Sequence, residues 1–188
     1  MTARIAPVDL AAANEPTQQL FAAVKAQMGK VPNMMKTMAH SPPLLEGYLA
    51  FGGALNKGVL PEIVRQQIAL FVSQENGCEY CLSAHSLIGR HAGLSREQVV
   101  LARQGEAQDA KQQAVLNLVQ NILDWRGNIS NEQFAAARAA GLTDAEIAEV
   151  VGHVALTTLT NYFNQLTQPD VDFPRVSANL EPSAALSA

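Results

Sequence analysis

The 188 residues include 13 Lys and Arg against 17 Asp and Glu, a formal net charge of −4, and are 48% apolar but only 5% aromatic. No basic stripe supports nucleic-acid binding, and no apolar run approaches the roughly 18–20 residues of a membrane span. The opening segment lacks the apolar stretch of a secretory signal, so the expected compartment is the cytoplasm, where structural disulfides are rare and a close cysteine pair points to redox chemistry or metal.

Residues 1–16 carry two prolines and read as an N-terminal arm ahead of a single helical domain over 17–168. Thr17 is a plausible helix N-cap, with Leu20, Phe21, Val24 and Met28 at helical spacing and Gly29 as the stop. Val31-Pro32-Asn33 is a turn, and Asn33 is placed to cap a short Met-rich helix reaching Ala39. After Ser41-Pro42-Pro43, the residues Leu44, Leu45, Tyr48, Leu49 and Leu55 mark a helix ending near Lys57-Gly58. Pro61 opens a largely buried helix that Asn76-Gly77 breaks. Cys78 would begin the next helix, which runs to about His91. Ser95 to Gln98 and Thr143 to Glu146 have capping-box form and start helices. Between them lie a helix over 108–126 and one from Ser130 to about Ala140. Pro169 onward gives an extended tail, 169–188. No segment alternates like a strand, and the Ala-rich composition suits helices. The fold class is all-α.

The chemistry concentrates in Glu75-Asn-Gly-Cys78-Glu-Tyr-Cys81-Leu-Ser-Ala-His85. Residues three and four apart share a helix face, so Cys78, Cys81 and His85 can meet. Helical neighbours have Cβ atoms about 5–6 Å apart, whereas a disulfide prefers about 3.8 Å. Bridging the two sulfurs therefore needs a distorted first turn, which Gly77 can permit. Reactivity requires thiolate. Lowering a thiol pKa by two units takes about 2.7 kcal/mol, more than the about 0.3–1 kcal/mol of an exposed helix N-terminus. A partner such as His85 would have to add an ion pair or act as base. The expectation is Cys81 attacking and Cys78 resolving. Two other readings stand beside it: buried cysteines that merely pack, and a zinc site using Cys78, Cys81 and His85, which lacks an evident fourth ligand.

The same segment resembles the carboxymuconolactone decarboxylase-like family, and specifically its alkyl hydroperoxidase D (AhpD) branch. The likeness also involves Val31-Pro-Asn33, His40-Ser-Pro42, Arg65 to Leu70, His153 to Leu156, Thr160 to Asn164 and Val171 to Pro174. It implies an AhpD-like bundle of antiparallel helix hairpins assembled as a trimer or hexamer. It implies a thiol-dependent peroxidase in which Cys81 attacks a hydroperoxide, Cys78 resolves it and His85 relays protons. It implies no bound cofactor and, as reductant, an external dihydrolipoyl-type dithiol on an electron-donor protein. The chain departs from the branch at two positions. Gln66 stands where the branch has a relay glutamate, and Tyr80 where it has a histidine. Glu62, one turn before Gln66, is the candidate replacement carboxylate. The alternative to a turning-over enzyme is a redox-sensing or structural oligomer.

Other residues have ordinary readings. Trp125 is expected in core or interface, His153 as a hydrogen-bonded core histidine, His40 in a turn, and Met34, Met35 and Met38 as core filling. Asn161 and Asn164 lie on an otherwise apolar face and are expected to satisfy buried polar groups across an interface. Glu75 and Glu79 would raise a neighbouring thiol pKa unless they face solvent or a cation such as Arg90.

Overall fold

A computed structural model describes residues 3–180; Met1 and Thr2 of the arm and residues 181–188 of the tail lie outside the described residues. Nine helices and no strand occur among the described residues. They are α1 (Glu15–Met28), α2 (Asn33–Met38), α3 (Pro42–Leu55), α4 (Glu62–Glu75), α5 (Glu79–His91), α6 (Arg96–Arg103), α7 (Ala110–Trp125), α8 (Asn131–Ala139) and α9 (Asp144–Thr167).

The ends follow local chemistry. Asn14, not Thr17, caps α1: its side chain accepts the Thr17 N–H at 3.1 Å. The helix therefore takes in residues 15 and 16, expected in the arm, because the Asn14 carboxamide is the first side chain able to satisfy an orphan N–H. Pro32, not Asn33, stands at the N-cap of α2; Asn33 lies inside the helix and donates from its side chain to the Asp170 carbonyl. α3 stops at Leu55, two to three residues before the expected end. Capping boxes form at Ser95, Ser130 and Thr143.

α4 is the hub, packing on α5, α6, α7 and α9. Its Val64, Ile68, Phe71 and Val72 join Val115, Leu118, Val119, Val150 and Val154 in one core. Its Leu70 joins Leu82, Leu94, Val99 and Ala102 in a second. Each fully buried branched side chain contributes about 1.5–3 kcal/mol, so α4 is held from two sides and makes a rigid floor for α5. The third core joins α1–α3 to the start of α5: Phe21, Val24, Met34, Met35, Met38 and Leu45 pack around both cysteines.

The segment after α9 has no regular structure but is clasped to the domain. Asp172 accepts from the Tyr80 hydroxyl (2.7 Å) and the Asn33 N–H, and pairs with Lys30. Phe173 packs edge-on against Tyr80. Further along, the Val176 N–H donates to Ser83, the Ala178 N–H to Glu79, and Arg103 to the Ser177 carbonyl. The tail is thus a strap across the start of α5. Trp125 is not core; it is exposed at the end of α7.

Candidate functional site

The turn between α4 and α5 sets the site. Gly77 has φ +65°, a left-handed conformation that a side chain would oppose. The Cys78 N–H returns to the Ser73 carbonyl at 2.9 Å. Cys78 then sits just outside α5 as its N-cap, with extended backbone, and its sulfur accepts the Cys81 N–H at 3.4 Å. The distorted first turn expected from the sequence takes this form: one cysteine is a cap and the other lies in the helix. Their sulfurs face each other at 2.6 Å, Cys78 donating to Cys81. Both are buried, free thiols rather than a disulfide.

Cys81 has a second donor that the sequence did not disclose as its partner. The Asn164 carboxamide of α9 donates to the Cys81 sulfur at 3.2 Å. Asn161, one turn earlier, is fixed by donating to Ser73 and accepting from Asn76. The two asparagines therefore satisfy groups within the chain, where an interface role had been expected. Burial alone would push the Cys81 thiol up; hydrogen bonds from Cys78, Asn164, Asn161 and Thr160 outweigh it and bring the thiol below its ordinary value. Cys78 moves the other way: its hydrogen bond to Cys81, burial and the neighbouring negative charge raise it. The pair is polarised: ionisation is favoured at Cys81 and disfavoured at Cys78. Glu79 does not oppose this, because it is exposed and accepts from the strap; Glu75 is also exposed, with no hydrogen bond to either sulfur among the described residues.

His85 is arranged differently from the expectation. No hydrogen bond joins it to either sulfur among the described residues. Its Nδ1 instead meets Gln66 Oε1 at 2.9 Å. An amide oxygen only accepts, so Nδ1 carries the proton and Nε2 keeps a free lone pair. Burial lowers the His85 pKa to about 4. At neutral pH the ring is an uncharged base, not an imidazolium partner for the thiolate. Gln66 is its orienting group. Glu62 is exposed and makes no hydrogen bond to Gln66 or His85 among the described residues.

Tyr80 is tied elsewhere: it accepts the buried Met34 N–H at 3.1 Å while donating to Asp172. Burial, then the Asp172 contact, raises its pKa, with the Met34 bond opposing. It works as a strut between strap, α2 and α5. Tyr80→Phe should leave the Met34 donor unsatisfied and release Asp172, lowering stability by about 1–3 kcal/mol in chemical denaturation.

The two sulfurs border different spaces. Cys81 lines a small cavity of about 60 Å³ together with His85, Tyr48, Met34, Thr160 and Phe173. That is room for a few waters or a small polar head group. Burial, then the Cys81 charge, raises the Tyr48 pKa to about 12, so its hydroxyl stays a proton donor there. Met28, Met35, Tyr48 and Ile88 also border a larger groove of about 780 Å³ between α1, α3 and α4. Cys78 borders an open, polar cleft of about 310 Å³ with Gln165, Gln168, Asp170 and Arg175. Asn164 lines both spaces, and its Oδ1 is buried without a partner. His40 bonds the Ala6 carbonyl, and His153 is buried in the core with Nε2 unpartnered, so the expected hydrogen bond at that nitrogen is missing. No group of three or more His, Cys, Asp or Glu side chains among the described residues is arranged to hold a metal, so the zinc alternative lacks its ligand set.

A cysteine pair capping a helix, with a histidine one turn on and a helical hairpin beneath, is compared most directly with known families through that hairpin. Residues 42–121 match the carboxymuconolactone decarboxylase family. The match spans α3 to α7 and contains Gln66, Cys78, Cys81 and His85 but not Asn164. No curated protein matches significantly. Among solved structures, the AhpD-core, peroxidase-related protein of Ralstonia eutropha JMP134 is 26% identical, covering 89% of this chain and 92% of its own, with a TM-score of 0.78. A peroxidase-related protein of Silicibacter sp. TM1040 is 23% identical over 91% and 92%, with a TM-score of 0.74. A cysteine-to-alanine variant of the debrominase Bmp8 in complex with 2,3,4-tribromopyrrole is 18% identical over 92% and 93%, with a TM-score of 0.77. The AhpD-like all-α fold expected from the motif is thereby shown. Proteins of this fold include a debrominase as well as peroxidase-related proteins, so the fold alone does not select the reaction.

Proposed function

We propose that this protein is a thiol-dependent peroxidase acting on organic hydroperoxides and regenerated by an external dithiol. The observation that carries this reading is the polarised pair: a hydrogen-bonded Cys81 sulfur facing a cavity it shares with a neutral histidine. The Cys81 thiolate attacks the terminal peroxide oxygen. The O–O bond breaks, Cys81 becomes sulfenic acid, and the alkoxide takes a proton from the Tyr48 hydroxyl or from water. Cys78 then attacks the sulfenic sulfur, its proton passing through water to His85 Nε2 and from there to the departing hydroxide; the Cys78–Cys81 bond forms and water leaves. A dihydrolipoyl-type dithiol on a donor protein restores both thiols and is itself oxidised to a disulfide. No bound cofactor or metal is needed. The groove beyond the cavity suits an apolar substrate tail.

The exposed Leu159, Tyr162 and Leu166 of α9 recur at three- and four-residue spacing, with exposed Val151 eight residues before them, which supports a homo-oligomer, a trimer or hexamer. No helix among the described residues is long and apolar enough to cross a membrane; a cytoplasmic location, where such a dithiol stays reduced, fits the reading.

Purified protein should consume tert-butyl hydroperoxide catalytically with dihydrolipoamide. Oxidation that stops after one equivalent would make it a sensor instead, and debromination of 2,3,4-tribromopyrrole without peroxide turnover would replace the reading altogether.

The neutral His85 has a measurable consequence for stability. Its pKa is about 4 in the fold against 6.5 free, so between these values the unfolded chain binds the extra proton. The stability associated with keeping His85 neutral is fully present above pH 6.5 and is lost as pH falls toward 4. At about 1.36 kcal/mol per pH unit it amounts to at most about 3 kcal/mol. Denaturation of His85→Leu at several pH values should show a flatter acid limb than wild type. Burial lowers His153 in the same direction, leaving a residual slope. An unchanged limb would show that His85 is solvated and free to ionise.

A further inference from the structure

We propose that the two cysteines are served from different spaces: the oxidant reaches Cys81 through the small cavity, while the reductant enters the polar cleft and attacks Cys78. This rests on the dithiol peroxidase reading and assigns the reductant's site. Cys81 lines one space and Cys78 the other, and the two share only Tyr80 and Asn164, which stand between them. The cleft is several times larger, about 310 against about 60 Å³. It is open to solvent, as an arm tethered to a carrier requires. Its lining mixes Glu79, Asp170 and Arg175 with the carboxamides of Gln165 and Gln168. This suits an uncharged dithiol whose tether carries amide groups and gives no preference for an anionic one. The strap supplies the outer wall, so its clasp onto Tyr80 and Ser83 shapes the cleft.

The chemistry favours the same sulfur. In thiol–disulfide exchange the thiolate with the lower pKa leaves faster. Attack on Cys78 expels Cys81, whose departing charge is received by Asn164 and its neighbours. Attack on Cys81 would expel the disfavoured Cys78 thiolate. The step balances as follows. One reductant sulfur bonds to Cys78 as the Cys78–Cys81 bond breaks, leaving Cys81 as thiolate. The second reductant sulfur then attacks the first, closing the reductant's disulfide, and Cys78 leaves and takes a proton.

The test begins with wild-type protein oxidised by diamide, so it runs whether or not hydroperoxides are substrates. Failure of the peroxidase reading is thereby separated from failure of this one. The disulfide is mixed with 2-mercaptoethanol, acid-quenched early and alkylated, and the peptide holding both cysteines is fragmented. The expected product carries mercaptoethanol on Cys78 and the alkyl group on Cys81; the reverse labelling overturns the proposal. In a second measurement, Asp170→Trp, at the cleft wall, should slow reduction of the diamide-formed disulfide by dihydrolipoamide at least about tenfold. An unchanged rate, with the variant folded by circular dichroism, overturns it too.

Discussion

Cys81→Ser should abolish hydroperoxide consumption, by about 10³-fold or more, whereas Cys78→Ser should leave the first oxidation nearly intact and stop the second. The contrast follows from the direction of the hydrogen bond between the sulfurs. Cys81 receives donors and carries the charge; Cys78 gives a proton. A serine at 81 has no accessible anion near neutral pH, and no other thiol lines the cavity. A serine at 78 keeps an O–H aimed at Cys81, so the thiolate loses little support. It cannot, however, displace water from a sulfenic acid. Stopped-flow measurement of peroxide loss should therefore give Cys78→Ser a single turnover within a few-fold of wild type. A dimedone-reactive sulfenic acid should then accumulate on Cys81. Cys78→Ala, which removes the donor as well, should be slower than Cys78→Ser in that first step. Should Cys78→Ser fail to react while Cys81→Ser reacts, the roles of the two sulfurs are reversed.

What the sequence reveals of this site is what helix geometry and local capping control. The positions of α4, α5 and the turn between them follow from Pro61, Asn76-Gly77 and the apolar run between. That Cys78 and Cys81 approach each other follows from their spacing. Of the two roles expected for His85, ion pair or base, the ion pair does not form, for a physical reason: i to i+4 spacing places side chains on one face but does not choose their partners. His85 turns to Gln66, 19 positions back on α4, and burial keeps it neutral. The needed stabilisation comes instead from Asn164, 83 residues away in the chain. Nothing local in α9 names its target. The available signal was a polar residue on an apolar helix face, which identifies Asn164 as unusual without saying what it bonds. The strap was read as an extended tail for a similar reason. Asp172 and Phe173 carry no regular pattern, and their clasp on Tyr80 is a tertiary fact. Trp125 shows the converse: helical periodicity places it on the apolar side of α7, but at the last residue of that helix the core has ended and the ring is exposed.

If Asn164 is the main external donor to Cys81, its removal should change reactivity with a pH dependence that packing damage would not imitate. Asn164→Leu keeps the branching and the number of side-chain heavy atoms while deleting the N–H. A hydrogen bond to a charged acceptor is worth about 1.5–3 kcal/mol, or roughly 10–100-fold in the thiolate population near neutral pH. The thiolate that does form is more nucleophilic, because nucleophilicity rises with basicity, with a slope of about 0.4–0.5 in thiol exchange. The two effects oppose. At neutral pH the variant should oxidise more slowly than wild type, by about three- to tenfold after this compensation. Above the raised thiol pKa, where both proteins are fully ionised, it should be faster. Ultraviolet thiolate absorbance in a Cys78→Ser background should show the same upward displacement of the Cys81 titration. A variant that is uniformly slower at every pH, with its titration unmoved, would mean that Asn164 only packs against the sulfur. A crossing of the two profiles would instead identify the α9 carboxamide as the group that sets this cysteine apart from its neighbour three residues away.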